Sequence, residues 1–169
     1  MSLFRRARPA VPPPAVQPEI AAASLAPVSD PWSRPSVMIV DDDVAIEESF
    51  GQMLAAAGFD SHAEGSVRSG LDYLERASPS AVILDLHLPD GTGIDCLRRL
   101  RASPRHKDLP VAVLTGDYFL DDEVARELTT LGARVFFKPV WEEDLLRIVE
   151  HLMPARLRGS HRAPPGGSA

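Results

Sequence analysis

The sequence predicts an α/β domain in which a five-stranded parallel sheet carries helices on both faces. Three observations predict it. Apolar runs and amphipathic stretches alternate five times between residues 36 and 153, and strand–helix alternation leaves few arrangements other than a parallel sheet with right-handed crossovers. The apolar runs are continuous, as in "VMIV" (37–40), "AVIL" (81–84) and "VAVL" (111–114); strands covered on both faces read this way. Several runs also stop abruptly on a polar residue: "SAVILDLHLPDGTG" (80–93) meets Asp85, and "VMIVDDD" (37–43) meets Asp41.

The elements follow in order. Residues 36–41 are a buried strand. Ile46, Phe50, Met53, Leu54 and Ala57 then share one helical face, which Gly58 stops. Asp43 reads as the cap of that helix. A weak strand is expected near residues 59–63. Ser66 is placed to cap a helix carrying Val67, Leu71 and Leu74, with Pro79 just past its end. Residues 81–85 are the next strand. A loop with Pro89, Gly91 and Gly93 leads into a helix built on Ile94, Leu97 and Leu100, and Asp90 and Gly91 read as turn formers. Beyond Pro104 and Pro110, residues 111–114 are strand. A helix is expected over 120–131, with Val124, Leu128 and Leu131 in line and the acids Asp121, Asp122 and Glu123 at its positive end. Residues 134–137 are the last strand, and 141–152 the last helix, with Trp141, Leu145, Ile148, Val149 and Leu152 facing inward.

Composition sets the limits of this domain. Hydrophobic residues make up 44% of the 169, and the large ones concentrate in residues 36–153. Residues 1–35 hold eight of the 16 prolines and read as an extended Pro/Ala-rich tail; residues 154–169 read as a short basic tail. The first tail has a net charge of +2 and the last +3, which leaves −11 for the middle of a chain whose total is −6. So acidic a body argues against a nucleic-acid-binding face. The single cysteine, Cys96, excludes an internal disulfide and falls within an apolar helical pattern, as a packed thiol does. No apolar run reaches membrane-spanning length, and the basic start lacks the apolar stretch of a secretory signal. A cytoplasmic protein without membrane contact is the resulting expectation. His62, His106, His151 and His161 lack the spacing of metal ligands and read as solvated or partly packed.

Ligands of an open parallel sheet bind beyond the carboxyl ends of its strands. Here those ends carry Asp41 and Asp42, Asp85, Thr115 and Lys138. Three carboxylates brought together repel unless a cation lies among them. A small oxygen-rich set of this kind suits Mg²⁺, which keeps several waters and shares its shell with phosphate oxygens. With Lys138 alongside, the set points to a phosphoryl group.

These same residues carry a resemblance. "VDDD" (40–43), "LDLHLPDGTG" (84–93), "LTG" (114–116) and "FFKP" (136–139), each at the end of a predicted strand, resemble the receiver domain of two-component response regulators, the CheY-like family, over about residues 36–153. The resemblance implies a flavodoxin-like (βα)5 fold with strand order 2-1-3-4-5. It implies that Asp85 is the phosphoacceptor, forming an acyl phosphate. It implies that Mg²⁺ is held by Asp41, Asp42, Asp85 and the main-chain carbonyl of His87. Lys138 would pair with the phosphoryl oxygens, Thr115 would donate its hydroxyl to one of them, and Gly116 would leave room beside it. The Lys138–Pro139 bond resembles the family's cis peptide. The implied partners are a sensor histidine kinase or histidine phosphotransfer protein as donor and a downstream protein target. No sequence remains for an output domain, so signalling through protein contacts is expected, with no enzyme activity beyond the chain's own phosphorylation and dephosphorylation.

One position departs from the family pattern. Many receivers carry an aromatic residue three positions before the strand-five lysine; this chain has Val135 there, followed by Phe136 and Phe137. Two other functions compete. A magnesium-dependent phosphatase of the haloacid-dehalogenase type also places an aspartyl nucleophile after a strand, but needs a second acid where this chain has His87. A receiver-like interaction module that is never phosphorylated shares the fold, but the full set of Asp41, Asp42, Asp85, Thr115 and Lys138 speaks against it. A nucleotide site fails for want of a glycine-rich loop after the first strand.

Overall fold

A computed structural model describes residues 34–153. Residues 1–33 and 154–169 lie outside it, and with them the tails expected there and His161. Five strands form the sheet: β1 Ser36–Val40, β2 Asp60–Glu64, β3 Ala81–Asp85, β4 Val111–Thr115 and β5 Ala133–Phe137. Between and after them run α1 Val44–Ala56, α2 Val67–Arg76, α3 Gly93–Ala102, α4 Asp122–Thr130 and α5 Glu142–Leu152. All neighbouring strands pair in parallel, in the order β2-β1-β3-β4-β5. This is the predicted fold and strand order.

Each strand turns alternate residues to opposite faces, and the two faces build two cores. Met38, Val40, Val82, Leu84, Val111 and Val113 pack with Leu74 of α2, Leu97 and Leu100 of α3 and Leu128 of α4. Val37, Ile39, Ile83 and Leu114 pack with Phe50 and Leu54 of α1 and Leu145, Ile148 and Val149 of α5. β3 and β4 are buried at every residue, which explains their unbroken apolar sequence. A fully buried leucine such as Leu54 or Leu97 contributes about 1.5–3 kcal/mol through removal from water.

Local chemistry sets the helix limits. The Asp43 carboxylate accepts the Ala45 N–H at 2.9 Å and caps α1 as predicted. That helix ends where Gly58 takes φ 86°, a left-handed value that favours glycine, while the Gly58 and Phe59 amides return to the Ala55 and Leu54 carbonyls. Ser66 caps α2 by accepting the Ser69 amide at 3.1 Å. α4 starts two residues later than predicted, because the carboxylate of Asp121 accepts the Glu123 amide at 2.7 Å and so fixes the cap there. Trp141 does not face inward. It occupies the cap position before α5, off the helical pattern that placed it inside, and is 70% exposed.

The histidines read as partly packed include one buried anchor: the His106 ring donates from Nε2 to the Leu74 carbonyl at 2.9 Å. Cys96 is packed in the core as expected, and burial pushes its thiol up to about 11. Thiolate then makes up about one part in a thousand at pH 8. An aromatic disulfide reagent at that pH is expected to label the folded chain orders of magnitude more slowly than the urea-unfolded chain. Equal rates would contradict the packing described.

Among the described residues, no helix is long and apolar enough to cross a membrane.

Candidate functional site

The register of the sheet builds the site. Val40 of β1 lies opposite Leu84 of β3, and Asp85 lies opposite Leu114 of β4. One residue further along β1, Asp41 therefore comes beside Asp85 at the carboxyl edge. Asp41, Asp42 and Asp85 each offer a carboxylate oxygen, and these oxygens lie within 4.8 Å of one another. Asp41 and Asp85 are buried and Asp42 is exposed.

Lys138 follows β5, and its amide donates to the Thr115 carbonyl at 2.8 Å. From there its ammonium reaches back across the sheet edge to Asp41 Oδ2 at 2.7 Å and Asp85 Oδ2 at 2.8 Å. The Lys138–Pro139 peptide is cis, as the resemblance implied. Burial holds the Asp41 carboxyl above its usual range even though Lys138 and the Asp43 amide pull it down. Burial pulls Lys138 down, but its bonds to Asp41 and Asp85 outweigh this and hold it above its ordinary value. The ammonium is therefore charged at neutral pH. One ammonium against three carboxylates leaves two negative charges uncompensated at a half-buried edge. A divalent cation neutralises that excess, and hard carboxylate oxygens are the donors Mg²⁺ prefers. The residues present fit the ion.

The remaining predicted residues take distinct places. Thr115 is fully buried at the end of β4, and its hydroxyl oxygen accepts the Asp117 amide at 3.1 Å rather than bonding Asp85. A Cβ added at Gly116 would meet nothing within 4 Å, so the space beside Thr115 is open. His87 lies on a two-residue ribbon, His87–Leu88 paired antiparallel with Gly91–Thr92. Its amide donates to Asp85 Oδ1 at 3.3 Å and its ring is exposed, outside the carboxylate cluster.

Gly93 ends this loop against the acid. A Cβ there would lie 2.4 Å from the Asp85 carbonyl oxygen and 3.0 Å from Leu86 Cα, both backbone atoms that cannot swing away. Gly93→Ala is expected to destabilise the domain by about 1–3 kcal/mol through overpacking, read as a lower urea midpoint. An unchanged midpoint would show that the loop has slack.

Residues 37–150 match the family model described as the response regulator receiver domain. The chain belongs to that family. Among curated relatives, this receiver is 32% identical over 110 residues to the regulatory protein LuxO of Vibrio vulnificus, a match that covers 65% of this chain and 23% of LuxO. The chain thus spans under a quarter of that relative's length. Among solved structures, the chemotaxis protein CheY4 of Vibrio cholerae superposes with a TM-score of 0.66 at 24% identity, covering 72% of this chain and all of CheY4. The receiver domain of the sensor histidine kinase PA1611 from Pseudomonas aeruginosa, solved with a magnesium ion coordinated in its active-site cleft, superposes with a TM-score of 0.63 at 21% identity over 71% of this chain and 98% of its own. At these identities the two structures speak to the fold.

Two features of this receiver were missed in the sequence. Val135 is half-buried against the first core, and an aromatic contact to the lysine's backbone comes instead from the loop after β4. There Tyr118 stacks on Phe137, ring centroids 5.5 Å apart, and its hydroxyl donates to the Lys138 carbonyl. Asp90, read as a turn former, also bonds the first two amides of α2. No local pattern marks either contact.

Proposed function

We propose that this receiver is a phosphoacceptor switch, and that Asp85 takes a phosphoryl group from the phosphohistidine of a sensor histidine kinase or a histidine phosphotransfer protein. The observation that carries this reading is the bridge of Lys138 between Asp41 and Asp85, with Asp42 in the same cluster. A carboxylate oxygen of Asp85 forms a bond to phosphorus as the bond from phosphorus to the donor imidazole breaks, giving an acyl phosphate and a free histidine. Lys138 exchanges part of its contact with Asp85 for the phosphoryl oxygens and offsets the charge spread over them in the transition state. The Thr115 hydroxyl donates to a phosphoryl oxygen, and the space beside Gly116 admits the group. Asp41, Asp42, Asp85 and the His87 carbonyl would hold Mg²⁺, which when bound neutralises the incoming phosphoryl charge. The modified domain then binds a downstream protein differently, to the extent that its two conformers interact differently with the phosphoryl group.

The test is incubation with Mg²⁺ and acetyl phosphate, followed by intact mass. One added phosphoryl group, lost when Mg²⁺ is chelated beforehand, is the expected result. No adduct with either acetyl phosphate or a phosphorylated histidine donor would favour the receiver-like interaction module instead.

A further inference from the structure

The ribbon after Asp85 would ordinarily end in a free turn at Pro89 and Asp90. Here it is held at both ends. At its base, the Gly93 amide donates to the Leu86 carbonyl at 2.9 Å, and the Leu86 amide donates to the Leu114 carbonyl of β4 at 3.1 Å. At its tip, the Asp90 carboxylate crosses to a different element. Its Oδ1 accepts the Val67 amide at 2.8 Å and its Oδ2 the Arg68 amide at 2.9 Å.

Val67 and Arg68 are the first two residues of α2, whose leading amides have no partner within the helix. Ser66 satisfies only the third, that of Ser69. Asp90 therefore completes the N-terminus of a helix 22 residues earlier in the chain, and a carboxylate suits the positive end of that helix. The two amides in turn hold the Asp90 carboxyl below its usual range, the Arg68 amide most strongly. Gly91 adds to the contact: a Cβ there would lie 3.4 Å from Val67 Cγ2, so the ribbon tip packs against the buried first residue of α2.

The strapped segment contains His87, whose amide bonds Asp85 and whose carbonyl is the proposed main-chain ligand. We infer that Asp90 is a positioning residue for the divalent-cation site: by tying the ribbon to α2 it fixes the backbone that presents His87. This rests on the reading of Asp41, Asp42 and Asp85 as a Mg²⁺ site. Ser66 supplies the control, since it caps the same helix and has no bond to the ribbon.

The test compares the full chain with Asp90→Ala, Asp90→Asn and Ser66→Ala. Mg²⁺ affinity is measured by calorimetry, and amide exchange of residues 86–93 is measured without metal. Loss of an outer-shell partner costs about 10- to 100-fold in metal affinity. Acting through one ligand of the set, Asp90→Ala is expected near the lower end, about tenfold, with faster exchange at Leu86 and Gly93. Asp90→Asn keeps one acceptor oxygen and should fall between. Ser66→Ala should lower the melting temperature yet leave Mg²⁺ affinity and ribbon exchange unchanged. Equal affinity in the unsubstituted chain and both Asp90 variants would overturn the inference alone. So would an equal loss of affinity in Ser66→Ala, which would mark the effect as general loosening. No Mg²⁺ binding by the unsubstituted chain would overturn the metal reading and the inference with it.

Discussion

Asp85→Asn takes no phosphoryl group from acetyl phosphate or from a phosphohistidine donor, under conditions in which the unsubstituted chain gains one. The amide nitrogen and oxygen of asparagine are poor nucleophiles, and no neighbouring carboxylate is placed to replace Asp85. Asp41 lies at the end of β1, held by the Asp43 amide two residues on, and both it and Asp42 are assigned to the cation rather than to phosphorus. The variant also loses one of three clustered carboxylates. Its Mg²⁺ affinity should fall by at least the roughly 10- to 100-fold that an outer-shell loss costs. Folding is not the cause: without divalent cation, Asp85→Asn should melt no lower than the parent, because one repelling charge has left a buried edge. An adduct on the variant, located to another carboxylate by peptide mapping, would refute the assignment of Asp85.

Lys138→Met separates the two jobs of the site. The ammonium stabilises phosphoryl charge only during transfer, so its removal should slow phosphorylation by about 10²- to 10³-fold, the usual cost of one preorganised donor. Metal binding should move the other way. The ammonium sits 2.7 Å from Asp41 and 2.8 Å from Asp85, on carboxylate oxygens that a cation would also use. The variant should therefore bind Mg²⁺ at least as tightly as the parent while accepting phosphate far more slowly. A parallel loss of both would mean that Lys138 chiefly holds the pocket together.

The parts legible in the sequence are those where burial leaves a periodic trace. β3 and β4 are buried at every residue and read as unbroken apolar runs. Their ends could be marked to the residue because a carboxylate or a hydroxyl interrupts the run. The meeting of Asp41 with Lys138, 97 residues apart, followed from the same logic, since strand order and parallel register bring all strand ends to one edge. β2 was faint because it is an edge strand whose Asp60, Ser61 and His62 are exposed, so nothing demanded apolar residues there. Trp141 fits the apolar spacing of α5 yet sits one residue before that helix begins, where its cap geometry turns it to solvent. Asp90 and Tyr118 could not be seen at all. Their hydrogen-bond partners are backbone groups on distant segments, reached by loops, and a main-chain amide or carbonyl leaves no signature in side-chain chemistry. Both contacts hold segments that flank the carboxylates, so what the sequence hid is mainly the support of the site rather than its reacting groups.

The most direct test of the site is a crystal structure of the chain with Mg²⁺ and beryllium fluoride, a stable mimic of an aspartyl phosphoryl group. One beryllium fluoride is expected on a carboxylate oxygen of Asp85, with Mg²⁺ held by Asp41, Asp42, Asp85 and the His87 carbonyl and Lys138 turned onto a fluoride. Density for neither group at this edge, with Lys138 still bridging Asp41 and Asp85, would contradict that assignment.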